Sequence, residues 1–179
     1  MDTDPVELRF GRQVHGPVLR RAAGRGRPGD GLWTDTPREP LLVFTADCLP
    51  VAVARTNGEQ PAIAALHVGW RGLLGGIVQG AAGALGPGPL VAVIGPGIGP
   101  CCYEVGEEVA KPFRERFGDG IVSDRHLDLW SAAEQALRAA GVATVTRVDL
   151  CTACNPELFF SHRRDGGRTG RQGLIAYVT

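Results

Sequence analysis

The sequence lacks several features that whole classes of protein require. Its 19 basic and 19 acidic residues cancel, so no global field favours nucleic acid or an acidic membrane surface. It has no apolar run long enough to span a bilayer and no pattern of signal-peptide type, which predicts a cytoplasmic location. Lys111 is the only lysine. What remains is ordinary for one globular domain of 179 residues, with 44% apolar and 21% charged residues.

The five cysteines are an odd number in a chain without a secretion signal, which favours free, metal-binding or reactive thiols over disulfides. Cys151 and Cys154 form a lone CxxC pair. A structural zinc site would need a second pair of similar spacing, and a thioredoxin-type site would open a helix, whereas Asn155-Pro156 follows here. A cytidine-deaminase site would need a His-x-Glu sequence, which is absent. We expect a buried turn with two unreactive thiols.

Apolar runs predict a mixed order of strands and helices. Residues 20–30 read as a loop and Asn57-Gly58 as a turn. Strands are predicted at residues 41–44, 50–54, 61–67, 90–94, 145–150, 159–160 and 174–178. Helices are predicted at residues 73–85, around Val109, Phe113 and Phe117, and at 127–140. Adjacent strands followed by strands interleaved with helices favour a single α/β domain with mixed sheets over a strict doubly wound sheet.

Polar groups with chemical potential stand at the ends of these elements. His67 ends a strand and Arg71 lies at the junction with the following helix, where a metal ligand and an anion contact would face a crevice. Asp47 with Cys48, and Cys101 with Cys102, follow other strands, and His126 is predicted to begin a helix. Three His and Cys ligands would leave a fourth position open, as in catalytic zinc sites, and copper is chemically compatible. Equally, His67 could cap its strand and the vicinal cysteines could be small buried residues.

His15 lies in the short segment Gln13-Val14-His15-Gly16. On its own we interpret it as a structural or surface histidine. The arginine-rich tail after residues 159–160 contains Arg163 and Arg164, which either form a solvated turn or bind phosphate bidentately.

Five motifs occur in a fixed order: Thr45-Ala46-Asp47-Cys48-Leu49-Pro50-Val51, His67-Val68-Gly69-Trp70-Arg71-Gly72, residues 98–106 with the vicinal cysteines, His126-Leu127-Asp128-Leu129, and residues 151–167. Together they resemble the YfiH family, also called the laccase-domain or multicopper polyphenol oxidase family. The resemblance implies a four-layer α/β sandwich like the catalytic domain of bacterial cytotoxic necrotizing factor, formed by residues 1–179 as one domain.

The same resemblance implies a zinc site at His67, Cys101 and His126. It implies purine nucleosides and phosphate as small-molecule partners, with phosphorolysis of adenosine, inosine and methylthioadenosine and deamination of adenosine. An older label of the family is polyphenol oxidase with copper. The chain departs from the family pattern at Val68, where alanine is usual, and at His162, where tyrosine is usual. Only a short segment precedes Gln13 in this sequence, whereas typical members carry a longer N-terminal segment before the corresponding position.

Within this interpretation we expect Arg71 to hold phosphate, supported by Arg163 or Arg164. Asp47 or Cys48 would act as general acid or base, with a buried cap as the equal alternative for Asp47.

Three other functions remain open. A multicopper oxidase is hard to build from four histidines in the whole chain. A non-catalytic zinc-binding or interaction protein, and a cysteine hydrolase using Cys101 and His126, are the other two.

Overall fold

The computed structural model describes residues 7–23, 26–56 and 60–179. Its strands are β1 Arg9–Phe10, β2 Leu19–Arg21, β3 Gly31–Thr34, β4 Leu41–Thr45, β5 Leu49–Arg55, β6 Ala62–Val68, β7 Leu90–Ile94, β8 Val122–Ser123, β9 His126–Leu127, β10 Val142–Arg147 and β11 Gln172–Ala176. Its helices are α1 Trp70–Leu74, α2 Ile77–Leu85, α3 Glu107–Phe117 and α4 Leu129–Ala139, with a 3₁₀ turn at Asp119–Ile121. The turn predicted at Asn57-Gly58 lies outside the described residues.

Most strands belong to one six-stranded sheet with the order β10-β7-β5-β6-β3-β2. Strand β5 is antiparallel to β6 and β7, and β3 is antiparallel to β6. The β7–β10 and β2–β3 pairs are parallel. A three-stranded sheet, β1-β4-β11, and the β8–β9 hairpin are the other sheets in the described ranges. The predicted α/β domain with mixed sheets is therefore confirmed.

Alternation along β6 divides the interior between the two faces of the large sheet. Ala64 and Leu66 lie in the main core, which the helices cover. Ala65 lies in a second core against the small sheet, and Ile63 packs on it. By the same alternation, His67 points to the small-sheet side, at the end of the strand.

The predicted helix over residues 73–85 is two helices, and this prediction was wrong about continuity. The chain breaks at Gly75 and Gly76, and Gly76 adopts a φ of 87°, which favours glycine. A Cβ on Gly75 would lie 2.8 Å from Pro17, so the break also lets the N-terminal segment approach closely.

The helix predicted over residues 127–140 begins later, because Asp128 caps it. The Asp128 carboxylate accepts a hydrogen bond from the Ser131 backbone N–H at 2.9 Å. His126 consequently lies in the β8–β9 hairpin rather than at a helix start.

Three predictions for less regular segments also need correction. Residues 159–160 lie in a turn-rich segment and not in a strand. The predicted loop 20–30 contains the end of β2 and finishes at Asp30, which is almost fully buried. The strand predicted at 145–150 runs instead over Val142–Arg147, because it pairs with β7 in that register.

In the part of the chain that the structure describes, no helix has the length and apolar character needed to cross a membrane.

Gly97 is a test of the close packing that positions the loops at this end of the sheet. A Cβ there would lie 2.9 Å from the Asp47 carbonyl oxygen, which cannot move freely because it accepts a hydrogen bond from Ile98. We expect Gly97→Ala to lower the free energy of unfolding by about 1–3 kcal/mol, measured by urea denaturation.

The matched control is Gly80→Ala in the exposed face of α2, where a Cβ would meet nothing within 4 Å. Removing a helical glycine there should raise stability by about 0.5–1 kcal/mol. Equal effects of the two substitutions would contradict the packing argument.

Candidate functional site

Two histidines and a cysteine meet where β5 begins and β6 ends. Cys48 directly precedes β5, and the antiparallel register of that strand places Pro50 opposite His67. His15 reaches the same point from the N-terminal segment, and its ring makes an edge contact with His67 at a centroid distance of 4.8 Å. One ligand atom of each residue lies within 4.8 Å of the others. We call His15, Cys48 and His67 the His–Cys–His cluster.

Gly69, in the motif that contains His67, makes room for this arrangement. A Cβ on Gly69 would lie 3.0 Å from the Cys48 sulfur. The glycine therefore lets the thiol approach the end of β6.

A buried carboxylate orients the cluster. Asp30, just before β3, lies 2.7 Å from Nδ1 of His67 through Oδ1, and its side chain is fully buried. It also accepts backbone N–H bonds from Val14 at 3.0 Å, His15 at 2.8 Å and Gly16 at 2.9 Å. Asp30 thus fixes the His67 ring, leaving Nε2 for a ligand, and holds the backbone that carries His15.

The electrostatics of the cluster favour a thiolate beside an imidazolium. Burial alone would raise the pKa of Cys48, but hydrogen bonds and charge from His15 and His67 outweigh it and lower the pKa to about 7. Burial alone would lower the pKa of His67, but Asp30 and Cys48 raise it to about 9. The Asp30 pKa is held below its usual range by His67 and the backbone donors, against the opposing effect of burial.

The cluster opens into a cavity of about 600 Å³. Its wall carries cationic and polar side chains, namely those of Thr45, Arg71, Tyr103, His162, Arg163 and Arg171. The Thr45 hydroxyl is buried and, within the described ranges, has no hydrogen-bond partner. Burial raises the pKa of Tyr103, so its phenol stays protonated and can donate a hydrogen bond. The cavity therefore combines metal-capable ligands with donors suited to an anion.

The predicted arginines have different surroundings. Arg71 lines the cavity and stacks on Trp70 at 4.2 Å from the ring centroid; it has no carboxylate partner among the residues described. Arg163 also lines it, and its guanidinium donates to the carbonyls of Cys102 at 3.2 Å and Glu104 at 2.9 Å. Arg164 borders a different cavity, where it is engaged by two backbone carbonyls and Asp165.

Asp47 lines the cavity but has its carboxylate engaged. Oδ1 accepts a hydrogen bond from the Thr152 hydroxyl at 2.6 Å, and Oδ2 accepts one from the Arg163 backbone N–H at 2.6 Å. Its φ of 84° is a left-handed conformation that is rare outside glycine. This geometry matches the buried-cap alternative for Asp47, because it ties two distant loops to the start of β5.

The ligands predicted from the family resemblance are not grouped together. Across the described ranges, His67 belongs to the His–Cys–His cluster, Cys101 to a second group with three other cysteines, and His126 to neither. His126 and Cys101 share the wall of a separate cavity of about 420 Å³. The set His67, Cys101 and His126 stays a prediction, and the geometry favours the His–Cys–His cluster as the metal-capable set.

Sequence reasoning missed the contributions of His15, Asp30, Tyr103 and Arg171. No local sequence pattern marks His15, but in the structure Gln13 of the same short polar segment pairs with both backbone groups of Phe44. Its amide donates to the Phe44 carbonyl at 2.7 Å and accepts from the Phe44 N–H at 2.8 Å. This clamp holds the segment beside β4.

We expect Asp30→Ala to lower the free energy of unfolding by about 3–5 kcal/mol, because it leaves a buried imidazole and three backbone donors without their acceptor. Zinc affinity should fall about 10–100-fold as His67 loses its orienting partner. Urea denaturation and competitive zinc titration measure the two effects. Asp35→Ala, which removes only a surface ion pair with Arg21, is the control and should change stability by about 1 kcal/mol or less.

The lowered pKa of Cys48 predicts its reactivity in metal-free protein. At pH 8 a thiol with a pKa of about 7 is mostly thiolate, whereas one at 9 is mostly protonated. Alkylation of Cys48, followed by peptide mass spectrometry, should reach half its maximal rate near pH 7. His15→Ala should move this midpoint upward, and Cys48→Ser supplies the background from the other thiols. A midpoint near pH 9 in unsubstituted protein would contradict the assignment.

Known proteins of similar sequence support the fold described above. The whole chain, residues 1–179, matches the family described as multi-copper polyphenol oxidoreductase laccase. A purine nucleoside phosphorylase of Xylella fastidiosa is 37% identical over 186 residues, spanning 93% of this chain and 70% of that protein. The purine nucleoside phosphorylase YfiH of Escherichia coli is 35% identical over 189 residues, spanning 99% and 75%.

Solved structures show the same fold. The Bacillus licheniformis hypothetical protein YfiH superposes with a TM-score of 0.90 at 30% identity, covering 99% of this chain and 76% of that one. YlmD from Geobacillus stearothermophilus gives a TM-score of 0.83 at 30% identity, covering 97% and 74%. The resemblance predicted from the five motifs is confirmed, and the chain belongs to the YfiH family, described as multi-copper polyphenol oxidoreductase laccase.

Proposed function

We propose that this protein is a zinc-dependent purine nucleoside phosphorylase acting on adenosine, inosine and methylthioadenosine. The observation that carries the proposal is that the His–Cys–His cluster opens into the same cavity as Arg71, Arg163 and Arg171. At about 600 Å³ the cavity lies in the size range of small-molecule sites. Relatives named purine nucleoside phosphorylase support the same reaction class.

The cluster suits Zn²⁺ by its donor chemistry. It offers two imidazole nitrogens and one sulfur, with Nδ1 of His67 engaged by Asp30 and the Cys48 thiol ionised near neutral pH. Three protein ligands leave a fourth position, as in catalytic zinc sites. Zinc bound here would supply Lewis-acid activation of a substrate oxygen or of water. Copper is compatible with the same ligands, but one cluster with two imidazoles does not provide a multicopper centre.

The cationic wall is proposed to bind phosphate. Arg71, whose guanidinium stacks on Trp70 and faces the cavity, is the main contact, and Arg163 and Arg171 add positive charge. In phosphorolysis the bond from C1′ to the purine nitrogen breaks and a phosphate oxygen bonds to C1′. The purine leaves with the proton that HPO₄²⁻ brings. Arginine donors stabilise the phosphate as it approaches a C1′ that develops positive charge.

Other side chains would orient the substrate. The Thr45 hydroxyl, which has no hydrogen-bond partner among the described residues, and the protonated Tyr103 phenol both lie at the cavity wall and can hydrogen-bond to a ribose or a base. Cys48 acts as a metal ligand in this proposal rather than as a general acid or base. Asp47 acts as a positioning residue, because both carboxylate oxygens already accept hydrogen bonds.

Adenosine deamination is a second candidate activity. The observation that favours it is the three-ligand cluster beside the cavity, because zinc held by His15, Cys48 and His67 would supply Lewis-acid activation for the hydrolysis of the amino group at C6 of adenosine. It would release inosine and ammonia without phosphate.

Incubation of purified, zinc-loaded protein with adenosine distinguishes these activities. Adenine and ribose 1-phosphate that form only with phosphate support phosphorolysis, and inosine formed without phosphate supports deamination. No product of either kind, with zinc bound stoichiometrically, would overturn the enzymatic proposal in favour of a binding protein. Oxygen uptake with a phenol after copper loading would favour the oxidase instead.

Removing the main phosphate contact should reduce phosphorolysis selectively. We expect Arg71→Ala to lower kcat/KM for phosphate about 100-fold, because one charged donor to the reacting group is lost. Arg138→Ala, which removes an exposed helix pair with Glu134, is the matched control and should leave the kinetics unchanged. Unaltered phosphate kinetics in Arg71→Ala would exclude the assigned role, whatever the result for other residues.

A further inference from the structure

Four of the five cysteines form a second group away from the His–Cys–His cluster. They come from two loops that follow β7 and β10, which are parallel neighbours in the large sheet. The loops therefore leave the sheet at the same edge, and backbone pairing of Gly97 with Cys151 joins them. The members of this four-cysteine cluster are Cys101, Cys102, Cys151 and Cys154.

The sulfur atoms are spaced as metal-bound thiolates are. All four lie within 4.8 Å of one another. The Cys154 sulfur lies 3.5 Å from that of Cys101 and 3.4 Å from that of Cys102. In a tetrahedral ZnS₄ site with bonds of about 2.3 Å, neighbouring sulfurs are about 3.8 Å apart. The two separations at Cys154 are about 0.3–0.4 Å shorter than that value, so small side-chain movements would place the four sulfurs at the spacing of a ZnS₄ site.

Backbone contacts give a second, independent indication. The Gly99 N–H donates a hydrogen bond to the Cys151 sulfur at 3.2 Å, a contact that stabilises negative charge on sulfur in metal sites. Gly99 also needs to lack a side chain, because a Cβ would lie 2.6 Å from the Trp130 ring and 3.3 Å from the Cys101 sulfur. The loop is thus packed closely around the sulfurs.

Exposure and charge are also suitable. Cys151 is buried, whereas Cys101 and Cys154 are exposed, so an ion can reach the cluster from solvent. The guanidinium of Arg163 donates to the Cys102 carbonyl at 3.2 Å, which places a positive charge near a site that would carry excess thiolate charge.

We propose that the four-cysteine cluster binds one structural Zn²⁺ in a tetrahedral site made entirely of thiolates. Closed four-ligand sites of this kind stabilise folds and leave no position for substrate. The ion would fasten the loop that contributes Ile98 and Tyr103 to the cavity wall. It would join that loop to the turn at residues 151–154, whose Thr152 binds Asp47. This site does not depend on the proposed reaction.

Elemental analysis of purified protein tests the proposal separately from the function. Because each site holds a single ion, we expect about two zinc per chain in unsubstituted protein and about one in Cys154→Ser. The matched control, Cys48→Ser, also should keep about one zinc, but at the four-cysteine cluster. The double substitution should retain neither ion.

Cobalt replacement identifies which site remains. Cys48→Ser should keep the intense sulfur-to-cobalt absorption of an all-thiolate tetrahedral site, and Cys154→Ser should lose most of it. Cys101→Ser repeats the test from the other loop. Zinc content equal to that of unsubstituted protein in both Cys101→Ser and Cys154→Ser would overturn the proposal. A disulfide between these cysteines in freshly purified, zinc-supplied protein, detected by intact mass, would overturn it as well.

Discussion

The arrangement of the cavity depends on the buried contact between Asp30 and His67. A carboxylate with no exposed surface is costly unless every lone pair is used, and Asp30 uses its oxygens on one imidazole and three backbone N–H groups. One side chain therefore sets the ring of His67 and the backbone course of His15. The third ligand, Cys48, follows from the pairing of β5 with β6, so sheet register and a single ion pair together define the cluster.

Burial decided which parts of the fold could be predicted. The strands over residues 41–45, 49–55, 62–68 and 90–94 are apolar because both faces of the large sheet or one face of the small sheet are covered. Their apolar runs could therefore be recognised in the sequence. The division of the helix at Gly75 could not be predicted, because it depends on the close approach of Pro17 from a distant segment. Residues 159–160 have strand-like composition, yet they are irregular residues between two turns.

The residues of the site fall into the same two groups, namely those with a local sequence signal and those whose role depends on contacts between distant segments. His67, Arg71 and Cys48 were found because each stands in a distinctive local sequence at the end of an element, and Arg163 because it lies in an arginine-rich segment. Asp30 and His15 have no local signal, since their importance arises from contacts between segments. Likewise, a vicinal pair and a CxxC pair have no shared spacing, and only the parallel β7–β10 neighbours bring them together. Pairing across the sheet, rather than residue type, was the missing information.

The hydrogen bonds of Asp47 give the cavity a particular order of assembly. They join Asp47 to Thr152 and Arg163, which are 105 and 116 residues further along the chain. All members of the His–Cys–His cluster, together with Asp30, precede residue 68. During synthesis from the N-terminus, the metal-capable half of the site and Arg71 are therefore available long before Arg163 and Arg171. Closing the cavity is a long-range step with a cost in loop-closure entropy, and the antiparallel pairing of β11 with β4 is one of the contacts that offset it.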